Sequence, residues 1–288
     1  MKIALHDSEG VKYPNLALMK LSAWHKNRGD DVEWFFPLME AEYSRIYSSK
    51  VFSFTKKDPS IPLSAYLGGT GNDIGVKLED EVEHAAPDYD LYGIDYSMGF
   101  LTRGCPNKCP WCIVPRKEGA VRKHAKLEEF CIHRTAILMD NNVLAHDWGI
   151  DQIGEIARRG VKVDFNQGMD ARRIDKSVAK LLSTVRWIRF IRLACDSKNQ
   201  MVEIEKAVAN LRGAGSKAQI ACYVLVKEDI EDALERVEFL RALKVDPFAM
   251  PYRDFSSDDQ EPTMEMKRFG RWVNHKATFK SVAWKDYK

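Results

Sequence analysis

Three cysteines fall within eight residues, in the run Thr102-Arg103-Gly104-Cys105-Pro106-Asn107-Lys108-Cys109-Pro110-Trp111-Cys112. Neighbouring thiolates repel one another unless a cation neutralises them, so this spacing points to metal chemistry. A closed structural zinc site takes four ligands, commonly as two paired knuckles. Here a single C-x3-C-x2-C stands without a second pair, and His124 or Cys131 would have to complete a zinc set. Three cysteines on one short loop suit a [4Fe-4S] cluster better. Each thiolate then holds one iron, and the fourth iron is left open for a substrate or cofactor. A plain electron-transfer cluster is the other reading of the same spacing. Cys131, Cys195 and Cys222 stand alone beside strand-like segments and read as small buried hydrophobes.

The rest of the composition narrows the class. The chain has 288 residues, 44 Lys+Arg against 42 Asp+Glu, 45% hydrophobic and 30% charged residues. That mixture belongs to a globular protein with one large domain or two smaller ones, and it excludes collagen-like and disordered classes. A disulfide scaffold would be shorter and denser in cysteine. No run reaches the ~18 apolar residues of a membrane helix, and the start, Met1 to Gly10, lacks the basic and apolar regions of a signal peptide. The expectation is a cytoplasmic protein with no membrane partner. Charge is unevenly spread: between Arg103 and Lys126 seven bases face one acid, Glu118. Such a run reads as solvated surface, or else as a positive rim around an anionic ligand or nucleic acid.

Periodicity places the cysteine loop within repeating strand–helix units. Strands are expected at 96–102, 134–140, 161–167, 189–196, 219–226 and 246–253. Helices are expected over 149–159, 176–183, 200–211 and 230–243, with Gly160 a good helix stop. Alternation at this spacing means parallel βαβ units. In such folds chemistry gathers at the C-terminal ends of strands.

The C-x3-C-x2-C loop, with Trp111 just before the third cysteine, resembles the signature of radical S-adenosylmethionine (SAM) enzymes. The resemblance covers roughly residues 96–253. It implies an α/β fold, a partial (β/α)6 barrel, with Cys105, Cys109 and Cys112 holding a [4Fe-4S] cluster and SAM as cofactor. It implies reductive cleavage of SAM to a 5′-deoxyadenosyl radical that takes hydrogen from a substrate. It also implies a low-potential electron donor such as flavodoxin or ferredoxin. Asp140-Asn141-Asn142 stands where that family carries a Gly-Gly-Glu-like motif for the methionine amino group. Gln167 ends the third strand. Arg192 and Ser197 occupy the region that contacts the SAM carboxylate and ribose, and Val224 the region beside the adenine. Tyr252 faces the cavity. The substrate is open between small molecule, peptide and nucleic acid.

Outside the barrel, residues 1–95 read as a small Rossmann-like α/β domain, with strands at 2–6, 31–36, 45–54 and 65–67 and a helix over 15–27. The last strand runs into Gly68-Gly69-Thr70-Gly71, similar to the cobalamin-binding domain that precedes many radical SAM barrels. No Asp-x-His-x-x-Gly is present to ligate cobalt, so a cobalamin-dependent methyltransferase is the lesser reading. No cysteine precedes Cys105, which argues against the methylthiotransferase arrangement. The barrel is expected to end near 255, with Ser256 to Asp259 a linker or helix start. Residues 264–288 interleave Lys and Arg with Phe269, Trp272, Phe279 and Trp284. They read as an aromatic cap on the barrel, with nucleic-acid stacking as the rival.

Overall fold

The computed structural model describes residues 1–10, 13–254 and 261–287. The chain forms two compact units, Met1–Gly99 with Ala125–Arg134, and Phe100–His124 with Thr135–Lys288. Return of 125–134 to the first unit was not foreseen by a linear boundary at 95. The linker expected at 256–259 lies outside the described residues.

The first unit carries a parallel sheet in the order β2-β1-β3-β4, with β1 Lys2–Asp7, β2 Asp31–Trp34, β3 Arg45–Ser49 and β4 Tyr66–Gly68. The helix Leu16–Asn27 crosses from β1 to β2, and the Asn15 side chain caps it by accepting from the Ala17 and Leu18 N–H groups. Ile3 and Leu5 from β1, Leu18 and Leu21 from the helix, and Val82 form its core. A further strand, β5, spans Ser97–Gly99.

The second unit is the expected alternation. After an antiparallel pair, β6 Thr102–Arg103 with β7 Arg122–Lys123, come β8 Thr135–Leu138, β9 Lys162–Phe165 and β10 Arg186–Trp187. These three pair in parallel, β9 lying between β8 and β10. A second parallel sheet follows, β11 Phe190–Ala194, β12 Gln219–Val226 and β13 Asp246–Pro251, in that order. The sheets meet where the Met169 N–H donates to the Arg192 carbonyl at 2.7 Å, beside a bridge from Met169 to Leu193. The whole is a mixed α/β fold in which parallel strands form an open arc of a barrel. Helices Asp147–Arg159, Lys176–Thr184, Met201–Gly213 and Ile230–Ala242 provide the crossovers. Three of them start on side-chain caps, at His146, Asp175 and Asp229, and Gly160 ends the first in the left-handed region. Their apolar stripes, including Ile153, Leu182, Ile204 and Leu240, are fully buried against the strands.

In the first unit β1 runs one residue past the expected 2–6 and β4 keeps the expected length, whereas in the second unit the sequence-read strands were longer than those formed, except 219–226. The 96–102 strand is the clearest case. It breaks after Gly99 and resumes at Thr102, since Leu101 and Thr102 turn their N–H groups to a carboxylate.

Residues after β13 are helical over Met264–Asn274 and Lys276–Ser281. Phe269, Trp272 and Phe279 are buried, with Trp272 edge-on to Phe279 at 4.9 Å. The Asn274 amide exchanges two hydrogen bonds with the Ala249 backbone, 2.8 and 2.9 Å, and so occupies the open edge of β13 as another strand would.

Candidate metal and cofactor site

Between β6 and β7 the chain makes the cysteine loop, and three carboxylates fix it. Asp140, just after β8 and 1% exposed, accepts from the Leu101 N–H (3.1 Å), the Thr102 N–H (2.6 Å) and the Thr102 hydroxyl (2.7 Å). Glu118 accepts from the Gly104 N–H (2.8 Å) and the Asn141 amide (2.9 Å), and pairs with Arg103 at 2.9 Å. Gly104 has φ of +81°, and a Cβ there would lie 2.2 Å from the Ala120 carbonyl oxygen, so only glycine fits. Asp170 accepts from Asn107 and Asn142, each at 3.1 Å, and from the Arg172 Nε and Nη2 groups in a bidentate pair, 2.7 and 2.8 Å. The loop is therefore held from both ends and from its middle.

Cys105, Cys109 and Cys112 are free thiols, each half-buried. Burial, and then the neighbouring cysteines, push the Cys109 thiol up. Burial is also the main cause at Cys112, where Cys105, Asp196 and Glu118 add to it. Without a cation the thiolates of Cys109 and Cys112 are therefore disfavoured, the condition a positively charged metal centre relieves. Among the described residues no three His, Cys, Asp or Glu side chains converge as ligands of a single ion. The Asn142 amide nitrogen lies 3.5 Å from the Cys105 sulfur, while its oxygen is buried with no hydrogen-bond partner. A buried acceptor without a donor, beside three thiols, is what a site shaped for a further polar ligand presents. The donor set therefore fits a thiolate-bound cluster with a polar cofactor next to it.

The other residues expected at the site divide sharply. Asn142 stands beside Cys105. Trp111 stacks under the Lys227 ammonium at 3.9 Å. It lines a cleft of about 360 Å³ together with Cys109, Arg172 and Ser197. Asp140 is corrected in role, its buried oxygens being spent on Leu101 and Thr102, while Asn141 donates its amide nitrogen to Glu118. Arg192 is likewise satisfied internally, by two bonds of 2.6 Å to Asp164, so its carboxylate partner belongs to the protein. Ser197 shares in a capping box with Gln200. Gln167 is exposed, its amide on Asn166. Val224 is fully buried on the helix-covered face of β12 and is a packing residue. Tyr252 is partly exposed after β13, its N–H bonded to the Val226 carbonyl.

Three residues escaped the sequence reading. Glu118 was visible only as the lone acid in a basic run. Asp170 lies three residues past Gln167, the expected end of the third strand. Lys227 follows β12 with no sequence mark of its own. Asp196, at the end of the strand expected over 189–196, is held by the Leu225 N–H at 3.2 Å, and burial raises its carboxyl above the usual range.

In the first unit the Gly-rich turn has a packing explanation. A Cβ on Gly69 would meet the Lys50 carbonyl at 2.3 Å, and one on Gly71 the Phe52 carbonyl at 2.4 Å. At the switch point between β1 and β3, where such sheets bind ligands, the Glu9 carboxylate already accepts from the Val51 and Phe52 N–H groups. These glycines answer to close backbone approach.

Neither protein-family models nor curated proteins gave a match to this sequence. Among solved structures the chain is similar to the crystal structure of Streptococcus suis SuiB, with a TM-score of 0.44 and 12% identity over 65% of this chain and 46% of that one. It is similar also to Streptococcus suis SuiB bound to S-adenosylmethionine, with a TM-score of 0.45 and 12% identity over 64% of this chain and 48% of that one. The chain spans about half the length of these structures. No helix among the described residues is long and apolar enough to cross a membrane.

Proposed function

We propose that the chain is a radical SAM enzyme whose cluster is held by Cys105, Cys109 and Cys112. The observation that carries this reading is the loop itself. Three free thiols at C-x3-C-x2-C spacing are clamped by Glu118 within the loop and by Asp140 and Asp170, which follow the parallel strands β8 and β9, with the unpartnered Asn142 oxygen beside Cys105. When bound there, a [4Fe-4S] cluster supplies the electron that cleaves SAM and so gives a carbon radical able to take a hydrogen atom from substrate.

The chain's own residues do the rest. Asn142 accepts from a cofactor ammonium, and Trp111 with Ser197 walls the cleft beside Cys109. The concave face of the arc receives the substrate. Register puts Ala194, Tyr223 and Phe248 in one row and Leu225 beside Met250. Phe248 is 47% exposed and Met250 36%, an unusual state for strand residues of a parallel sheet. Beside them Arg192 is neutralised by Asp164, which suits a polar but uncharged group next to an apolar one. The electron donor is a flavodoxin- or ferredoxin-like protein, and the thiols require a reducing compartment. A cobalamin role finds no support at the Gly-rich turn.

Anaerobic reconstitution tests the proposal. The protein should take up about four iron and four sulfide per chain and, once reduced, show an EPR signal that changes on adding SAM. Cys105→Ala, Cys109→Ala and Cys112→Ala should each abolish SAM cleavage. Retained cleavage in any of them, or a wild-type protein that takes zinc and no iron, would refute it.

A further inference from the structure

We infer that Asp196 and Lys227 are positioning residues that hold Trp111 by its edge and by its face, and so set the charge around Cys109 and Cys112. The inference rests on the reading of the site proposed above.

Strand periodicity brings the two residues to one place. Along β12, Cys222, Val224 and Val226 are buried while Tyr223 and Leu225 alternate with them on the concave face, and Lys227 is the next step of that second row. β11 lies alongside with Ala194 beside Tyr223, so Asp196 arrives beside Leu225 and accepts from its N–H at 3.2 Å. Arg236 fixes this corner from the helix side, donating to the Cys195 and Leu225 carbonyls at 2.7 and 2.9 Å. Both charges therefore stand on anchored backbone.

Trp111 reaches the same corner from the cysteine loop. The Lys227 ammonium lies 3.9 Å from the centroid of its ring, a close cation–π contact. The indole is also a hydrogen-bond partner of the Asp196 carboxylate, and its N–H is the one group it can donate. Among the described residues no carboxylate lies at ion-pair distance from Lys227. The other cation near Cys109, Arg172, is already paired with Asp170 through two bonds. Burial is the main cause of the raised Cys109 and Cys112 thiols, and the Asp196 charge adds to it at each. The corner's electrostatics thus extend to two of the three ligand positions.

A bound cluster is more negative when reduced than when oxidised. A nearby cation therefore raises its reduction potential, and a nearby anion lowers it. Lys227 and Asp196 pull in opposite directions, and the ring between Cys109 and Cys112 keeps both in place.

The test is a redox titration of the anaerobically reconstituted full chain, followed by the reduced-cluster EPR signal, in wild type and three variants. Lys227→Met keeps an aliphatic chain over the indole and removes the charge, so the midpoint potential should fall. Lys227→Arg keeps both charge and ring contact and should match wild type. Asp196→Asn keeps an acceptor for the Leu225 N–H and removes the negative charge, so the potential should rise. Residues that merely braced the loop would move it in one direction, or lose iron together. An unchanged potential in Lys227→Met or Asp196→Asn, shifts of the same sign, or a fall in Lys227→Arg equal to that in Lys227→Met overturns the inference. Should one variant take up no iron, the others decide; loss of iron from both Lys227→Met and Asp196→Asn also overturns it. A wild-type chain that binds no cluster instead fails the underlying proposal, and wild-type iron content tells the two failures apart.

Discussion

Around the cysteine loop the same functional group, a carboxylate, is used in three electrostatic states. Asp170 is kept ionised by its arginine and amides, Glu118 is paired with Arg103 at 2.9 Å, and Asp140 is enclosed without any cation. Burial pushes the Asp140 carboxyl up to about 6, against the pull of the Thr102 and Leu101 hydrogen bonds. A carboxyl whose folded pKa lies above its unfolded value adds stability below the unfolded value and loses it as pH rises through the folded one. The unfolding free energy of the apo protein minus that of Asp140→Asn should therefore shrink between pH 4 and pH 7, by up to about 3 kcal/mol at 1.36 kcal/mol per pKa unit. Urea titrations at both ends of that range measure it; a flat difference would show that Asp140 stays ionised. Gly104→Ala is the sharper substitution. It combines a positive φ with a Cβ meeting the Ala120 carbonyl, so iron retention should fall while circular dichroism of the strands and helices is kept. At this scale the cysteines were legible because metal chemistry constrains their spacing. The roles of Asp140 and Arg192 were not, because a polar residue at a strand end is equally suited to a ligand or to a partner within the protein. Only the fold brought up Thr102 for one and Asp164 for the other.

Elements were legible where one face is apolar and the termini are capped. The helix Lys176–Thr184 has both properties and the strand Gln219–Val226 is a continuous apolar-rich run, and their bounds were read to within a residue. The two-residue strands Arg122–Lys123 and Arg186–Trp187 have neither and were missed. What joins elements is less visible still. Arg236, 2% exposed on the helix Ile230–Ala242, donates to the Cys195 carbonyl at 2.7 Å and the Leu225 carbonyl at 2.9 Å, and to Asp232 at 2.8 Å. It ties the helix to the C-terminal ends of β11 and β12, at the level where Asp196 meets Leu225. In sequence it is one more helix arginine. Arg236→Met should cost about 3–5 kcal/mol, since two buried carbonyls and Asp232 lose their donor. Denaturant unfolding checks the figure, and a loss under 1 kcal/mol would show that water replaces the guanidinium.

For the molecule as a whole, charge and hydrophobicity in the last 25 residues pull toward different functions, and packing decides between them. The aromatics of residues 264–288 that could have stacked nucleobases are turned inward: Trp272 lies edge-on to Phe279, and its indole N–H bonds the Val282 carbonyl at 2.9 Å. Arg268 sits over the Trp284 ring at 4.6 Å and Lys276 pairs with Asp246, so these two cations are engaged within the fold. Asn274 meanwhile closes the edge of β13 through Ala249. Removing 264–288 should then expose the outer face of β13 and an unpaired strand edge together. At ~25 cal/mol per Å² of apolar surface, uncovering the face served by two or three aromatics costs several kcal/mol. The exposed edge adds a route to aggregation. The truncated chain should be insoluble or melt far lower. Asn274→Ala in the full chain should separate the two effects, keeping the aromatic cover and so most of the stability while self-association on heating increases. Size-exclusion chromatography and thermal unfolding of both variants decide the matter. A truncated chain that stays monomeric with an unchanged melting temperature, and loses only a salt-dependent affinity for RNA or DNA, would return these residues to a nucleic-acid role.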